Sequence, residues 1–301
     1  MKPPLVSVHI ITYNQAPYIA DALDGALRQE TDFGVEILVG EDCSTDGTRD
    51  IVLDYQRRHR ERIRVITSEH NVGTHANSRR AAEASRGKYL ALCEGDDYWT
   101  DPHKLQKQVD FLESHPEYSL CCHDVDIIFD GVPEVPRTHR YVEFTGETFS
   151  FEDVVRRHFI PTLSIVCWRE PAVRLPDWFT QCISGDIPLE LLLLDKGLGY
   201  YMHERMGTKR NNRGSVSLKP ERGAVARESF LQMYKHMDSY TQGRHREILH
   251  WKIARLSLHL AGQQLKAKRF VPLFRHILES LRYDRTAIHD AARRRLACHR
   301  Q

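Results

Sequence analysis

The chain has 301 residues, 28% of them charged and 41% hydrophobic, and a formal net charge of +2. That length supports one large or two modest domains with a real core, and the composition excludes a disordered or collagen-like chain. The small net charge hides an asymmetry: residues 243–301 carry 14 Lys and Arg against 4 Asp and Glu, while the remainder carries 29 against 37.

The opening residues MKPPLVSVHIITYN turn polar too soon for a signal peptide. The longest apolar cluster, residues 189–194, contains Glu190 and falls far short of the roughly 20 residues a bilayer span needs. The first half then alternates strand and helix. Apolar runs predict strands over 5–11, 35–39, 63–66 and 89–93, and amphipathic spacing predicts helices over 16–28, 48–59 and 74–85. This is the rhythm of a parallel sheet with helices on both faces. Polar residues collect at the strand ends: Thr12, Tyr13 and Asn14, then Glu41 and Asp42, then Asn71 and Gly73, then Asp96 and Asp97. Ligands bind at that edge of open α/β sheets. No GxGxxG follows the first strand and no GxxxxGK[ST] occurs, which argues against a dinucleotide fold and a P-loop.

The fourth strand is the most telling. It runs straight into Glu94, Gly95, Asp96 and Asp97, with Gly95 expected to permit a sharp turn. Paired carboxylates there suit a divalent cation, and the adjacent Tyr98 and Trp99 suit a sugar. Asp101 as N-cap and Pro102 at the first helical position predict a helix to about residue 115.

The middle segment departs from strict alternation. It predicts a strand over 118–129, a helix over 150–158, a strand over 163–168, and an apolar helix to about 196 opened by Gly185, Asp186 and Pro188. Beyond residue 218 the chain turns helical. Leu249, Ile253, Leu256 and Leu260 form one apolar stripe, and Phe270, Leu273, Phe274, Ile277, Leu278 and Leu281 form another. Packing on each other and on the rest of the protein is the expected use of these stripes. The basic residues outside, Arg293, Arg294 and Arg295 included, suit solvent or an anionic bilayer. No recognisable nucleic-acid module accompanies them. The seven cysteines are scattered without a CxxC pair, as expected of reduced core thiols in a cytoplasmic protein.

Four stretches, SVHIITYNQAPYI, LVGEDCSTDGT, HNVGTHANSRRAAEASRGKYLALCEGDDYW and SGDIPLELLLLDKG, resemble family 2 glycosyltransferases in order and spacing, over roughly residues 5–217. The resemblance implies a GT-A fold with a mostly parallel central sheet and flanking helices. The GT-A domain would span 1–217, with a nucleotide-binding half to about 115 and an acceptor half from about 116, and 218–301 would form a helical extension. It implies an inverting transferase that moves a sugar from a nucleoside diphosphate, UDP favoured and dTDP an alternative, to a glycan, lipid-linked or other hydroxyl acceptor, with manganese or magnesium as cofactor. Synthesis of cell-surface polysaccharide or glycoconjugate in the cytoplasm, peripherally on the inner face of the membrane, fits that activity.

By the same resemblance Asp42 reads a uracil or thymine edge, Tyr13 packs on the base, Thr12 gives backbone contacts and Asn71 approaches the nucleotide. Asp96 contacts the ribose or the metal's water, with Glu94 or Asp96 as the first acid of the metal motif. Asp97 coordinates the cation, Trp99 meets the acceptor and Asp186 is the catalytic base. Arg210, in a loop running to 217, grips the diphosphate, while Asn212 stands where many relatives have His. Other roles suit some of these residues: Asp42, Ser44 and Thr45 also suit a cap for a helix starting near Asp46, and Asp186 suits a helix dipole. A sugar nucleotidyltransferase would want a glycine-rich basic loop after the first strand, which is absent. A catalytically silent binding subunit would be expected to have lost one of Asp42, Asp97 and Asp186.

Overall fold

The structure, a computed structural model, describes residues 3–130, 139–140, 144–211 and 223–287. The chain divides into two compact units: Met1–Ser150 with His158–Pro176 and Leu189–Leu218, and Phe151–Arg157 with Asp177–Pro188 and Lys219–Gln301. The helical tail is therefore joined by two excursions from the middle of the chain, which differs from a single cut after residue 217.

The first unit begins with β1 (Val6–Thr12), α1 (Ile19–Leu27), β2 (Val35–Glu41), α2 (Thr48–Arg58), β3 (Ile63–Ile66), α3 (Thr74–Glu83) and β4 (Tyr89–Glu94). There follow β5 (Tyr98–Trp99), α4 (Lys104–Ser114), β6 (Tyr118–Phe129), β7 (His139–Arg140) and β8 (Thr148–Phe149). After α5 (Phe151–Arg156) come β9 (Val166–Trp168), α6 (Arg169–Val173), α7 (Asp186–Leu194) and β10 (Leu198–Asn211). One sheet runs in the order β3-β2-β1-β4-β9-β6-β10-β5. Pairing is parallel from β3 to β4, while β9 enters antiparallel to both β4 and β6, so the sheet is mixed beyond β4. β1, β2 and β4 are mostly apolar and buried along their length because both of their faces are covered, with Ser7, His9 and Glu36 as polar interruptions. Their side chains Val8, Ile10, Ile37, Val39, Tyr89 and Ala91 join Leu23, Val52 and Leu105 of the helices in one core.

Helix α4 starts two residues later than the Asp-Pro signal predicts. Asp101 Oδ1 accepts from His103 N at 2.8 Å, which closes a turn ahead of the helix and leaves the helix's own N-cap position to His103. Among the described cysteines all six are free thiols and five are buried, as expected.

In the second unit α8 (Gly223–Tyr240), α9 (Arg246–Lys266) and α10 (Phe270–Tyr283) pack in sequence. α9 buries Leu249, Ile253 and Leu260. Phe151 of α5 stacks on His245 at 3.8 Å, and Ile183 N donates to Ser229 Oγ at 2.9 Å, which ties both excursions to the helices. The second predicted stripe is only partly packed: α10 turns Leu273, His276 and Ser280 inward, while Phe270, Phe274 and Leu278 stay exposed. No helix among the described residues is long and apolar enough to cross a membrane.

Candidate functional site

Parallel pairing sets the ends of β1, β2 and β4 side by side, with Thr12 in register with Glu41 and Ile11 with Glu94. Because β2 and β4 flank β1 on opposite sides, strand order reverses here, and a crevice opens at the carboxyl ends. The loops that follow are laced together. Asn14 N donates to Ser44 Oγ at 3.0 Å, Thr45 N to Asn14 Oδ1 at 2.9 Å, and Ala16 N to Asp46 Oδ2 at 3.0 Å. Two residues in these loops, Asn14 and Cys43, hold positive φ of 53° and 59°, a conformation costly for non-glycine residues that concentrates at functional sites. Gly95 does not take a positive φ. Its role is close approach, since a Cβ there would lie 2.5 Å from Gln15 Oε1 and 2.9 Å from Thr12 Oγ1.

Asp42 is buried and joins neighbouring loops, with Ser68 Oγ donating to its Oδ1 at 3.3 Å. Its Oδ1 accepts from Val72 N at 2.8 Å and its Oδ2 from Gly73 N at 2.9 Å, while Asn71 Oδ1 also accepts from Gly73 N at 3.0 Å. The N-cap position of α2 is Gly47, and Asp46 just before it accepts from Thr48 N through Oδ1 at 3.0 Å. Carboxylate oxygens carry two acceptor sites each, so Asp42 retains capacity for one more donor. Thr12 is buried, and its carbonyl accepts from Asp42 N at 3.1 Å. Tyr13 projects from the same loop, 46% exposed, a free aromatic face at the crevice.

At the end of β4, Asp97 is 1% exposed. Its Oδ1 accepts from Arg210 N at 2.7 Å, and its Oδ2 lies 3.7 Å from Lys209 Nζ with no hydrogen-bond partner among the described residues. Burial pushes the carboxyl pKa well above the usual range; Lys209 opposes that rise, and the charges of Glu94 and Asp96 add to it. An orphaned buried oxygen in an acidic setting fits a hard divalent cation. Among the described residues no group of three or more His, Cys, Asp or Glu could hold a metal by itself. A cation held through Asp97 would take its remaining ligands from substrate phosphates and water, as magnesium-type ions do.

Arg210 lies on β10, not in a mobile loop, and is 8% exposed. Its guanidinium donates to Asp21 Oδ2 at 2.9 Å and to the Asp96 carbonyl at 2.8 Å, and sits 4.7 Å from the Tyr18 ring centroid and 5.1 Å from that of Tyr98. In this arrangement the side chain expected to grip a diphosphate braces the acidic turn. Asn212 and the rest of the expected loop lie outside the described residues. Asp21 and Tyr18 went unremarked in the sequence. Their i, i+3 spacing at the start of the helix after the first strand was the available signal that both face the crevice.

Trp99, expected to meet an acceptor, is packed in the core. It is 2% exposed, its Nε1 donates to the Leu163 carbonyl at 2.8 Å, and Lys104 Nζ lies 4.2 Å from its ring centroid. Asp186 is the first residue of α7 and belongs to the second unit; its Oδ1 accepts from Ser184 Oγ at 2.5 Å and from Ile187 N at 2.9 Å.

Residues 7–169 match the description of Glycosyl transferase family 2. The chain is 38% identical over 226 residues to an uncharacterized protein of Mycobacterium tuberculosis, an alignment covering 74% of this chain and 58% of that protein, so the chain spans less than two thirds of this relative. It is 32% identical over 223 residues to the putative teichuronic acid biosynthesis glycosyltransferase TuaG of Bacillus subtilis, covering 71% of this chain and 82% of TuaG. In fold it is similar to S. aureus TarS in complex with UDP-GlcNAc, with a TM-score of 0.66, 15% identity and coverage of 92% of this chain and 81% of that one. Mannosyltransferase PcManGT from Pyrobaculum calidifontis, in complex with GDP-Man and Mn2+, has a TM-score of 0.55 at 14% identity, covering 96% and 88%.

Proposed function

Because the chain belongs to glycosyl transferase family 2 and has the GT-A fold, we propose that it transfers a sugar, with inversion, from a nucleoside diphosphate to a hydroxyl acceptor. The observation that carries this reading is the convergence of Tyr13, Asp42, Asn71, Asp96 and Asp97 on adjoining strand ends, with a buried Asp97 oxygen left for a cation. UDP is the favoured carrier and dTDP the next. Tyr13 offers its ring to the base, while Asp42, which holds Val72 and Gly73 in position, accepts from the base edge. Asp96 lies toward the ribose. Asp97 would hold manganese or magnesium, which when bound stabilises charge on the departing diphosphate. Lys209, already paired with Asp97, adds positive charge at the same place. Asp186 takes the proton of the acceptor hydroxyl as that oxygen attacks opposite the diphosphate.

TuaG, named for teichuronic acid biosynthesis, supports an acceptor in a cell-surface polysaccharide, made on the cytoplasmic side. A thermal-shift panel of UDP-, dTDP- and GDP-sugars with and without manganese tests the reading, since a ligand selective for the native state raises Tm. UDP-sugar with manganese should give the largest rise. In Asp97→Asn, which keeps an acceptor for Arg210 N, the manganese-dependent part should vanish with the apo Tm nearly unchanged. A full manganese response in that variant would remove Asp97 from the metal, and no response to any nucleotide sugar would sink the transferase reading.

A further inference from the structure

Helix α10 is apolar on two faces, and only one of them is covered. Leu273, His276 and Ser280 pack inward, and the inner face is pinned by Glu279, which bonds Lys235 of α8 and Ser257 of α9, and by Asp284, 3.1 Å from Arg255. Phe270, Phe274 and Leu278 follow the i, i+4, i+8 spacing on the next face round. They are 59%, 60% and 67% exposed, joined by Val271 at 84% and by Leu265, at the end of α9, at 57%. Such a run of large apolar side chains in one patch marks an interaction surface.

Along the stretch that carries it, residues 265–287, the exposed charges have one sign, and the acid that α8 brings to α10, Glu228, sits on the inner face beside His276. Lys266, Lys268 and Arg269 in the turn before α10, Arg275 and Arg282 on it and Arg285 beyond it are all exposed. The two acids between residues 265 and 287 are Glu279 and Asp284, both taken up in the inner ion pairs. We infer that this face of α10 docks on an anionic lipid bilayer, its apolar stripe entering the headgroup boundary and its basic rim meeting the lipid phosphates. An apolar stripe bordered by Lys and Arg is the pattern of a helix lying in the membrane interface. Charge disfavours the other occupants. Two copies joined through this face by a twofold axis would set like rims against each other. The chain's own residues 288–301 carry four Arg against one Asp, which the same rim would repel.

The test is sedimentation of the full chain with vesicles of phosphatidylcholine alone or mixed equally with phosphatidylglycerol, at low and high salt, beside thermal melts and light scattering. The wild type should sediment with the anionic vesicles and be released by salt. Phe274→Gln/Leu278→Gln should weaken binding about tenfold or more at unchanged Tm, and Arg275→Gln/Arg282→Gln should weaken it by about tenfold or more while flattening its salt dependence. Wild-type protein that ignores anionic vesicles overturns the proposal, as does undiminished binding by the apolar double variant. A dimer that this variant converts to monomer would assign the face to a second copy. A drop of several degrees in its Tm would assign the face to the protein's own chain. Because none of these readouts uses catalysis, failure here leaves the transferase reading untouched.

Discussion

The strand-end loops of the first unit and helix α10 of the second both invert the usual partition of side chains, in opposite senses. At the loops charged groups are buried: Asp42, Asp97 and Arg210 are each at most 8% exposed. On α10 large apolar groups are exposed. Burying a charge is costly unless it is bonded, and the loops meet that cost with backbone donors and cross-loop pairs. Among the described residues nothing comparable covers Phe274 or Leu278. The contrast teaches that the first region is built to hold a polar ligand in fixed geometry, whereas the second offers area rather than geometry.

The sharpest way to break this comparison is to ask whether the units divide the labour. Asp97 belongs to the first and Asp186 to the second. Asp186→Asn should keep the manganese-dependent thermal shift with a nucleotide sugar while turnover falls about 10²-fold or more, the scale of a lost general base. Steady-state rates beside melts check it; wild-type turnover would move the base elsewhere.

Next in size is packing within the helical unit. Leu249 is fully buried on α9, so Leu249→Ala should cost about 2–5 kcal/mol. Phe274→Ala, which the apolar stripe alone marks as a core lesion, should stay within about 0.5 kcal/mol, the range of ordinary surface substitutions. Urea denaturation of both variants decides it, and equal losses would mean that Phe274 is covered in solution.

What could and could not be read in the sequence follows from the same physics. Strands β1, β2 and β4 were legible because burial on both faces writes a mostly apolar run, which Ser7, His9 and Glu36 interrupt singly. The acidic turn was legible because carboxylates straight after such a run have one edge to occupy. The burial of Trp99 was not legible because adjacency does not specify direction: in extended chain Tyr98 and Trp99 point opposite ways, and pairing of β5 with Gly207 and Thr208 sends Trp99 into the core. The strand position of Arg210 was not legible because nothing local announces that β10 continues through it to Asn211. On α10 the periodicity finds apolar faces without saying which one has a neighbour.

A pH test separates the buried sheet from the exposed helix face. His9 on β1 is buried, its Nε2 3.1 Å from the Ser78 carbonyl, and burial lowers its pKa to about 4. The folded form therefore resists a proton that the unfolded chain takes up below about 6.5. Stability should be at its full value above that pH and fall as pH drops toward 4, by up to about 1.4 kcal/mol per unit. His9→Gln should flatten this decline in urea titrations. An unchanged slope would show that other groups carry the acid sensitivity.

The smallest effects come from two glycines with opposite reasons for being glycine. Gly73 holds φ 85° and ψ 161°, a region open in practice to glycine alone, while its N–H bonds both Asp42 and Asn71. Gly73→Ala should cost about 1–3 kcal/mol and weaken nucleotide binding as well, because the loop must leave Asp42 to relieve the strain. Gly262 sits inside α9 with nothing within 4 Å of an added Cβ. Gly262→Ala should therefore stabilise by about 0.5–1 kcal/mol through a stiffer unfolded chain and better helix propensity. Chemical denaturation reads both signs. Should Gly73→Ala prove neutral, the strand-end loops would be looser than their hydrogen bonds imply, and the contrast between a fixed polar site and a permissive helical surface would lose its basis.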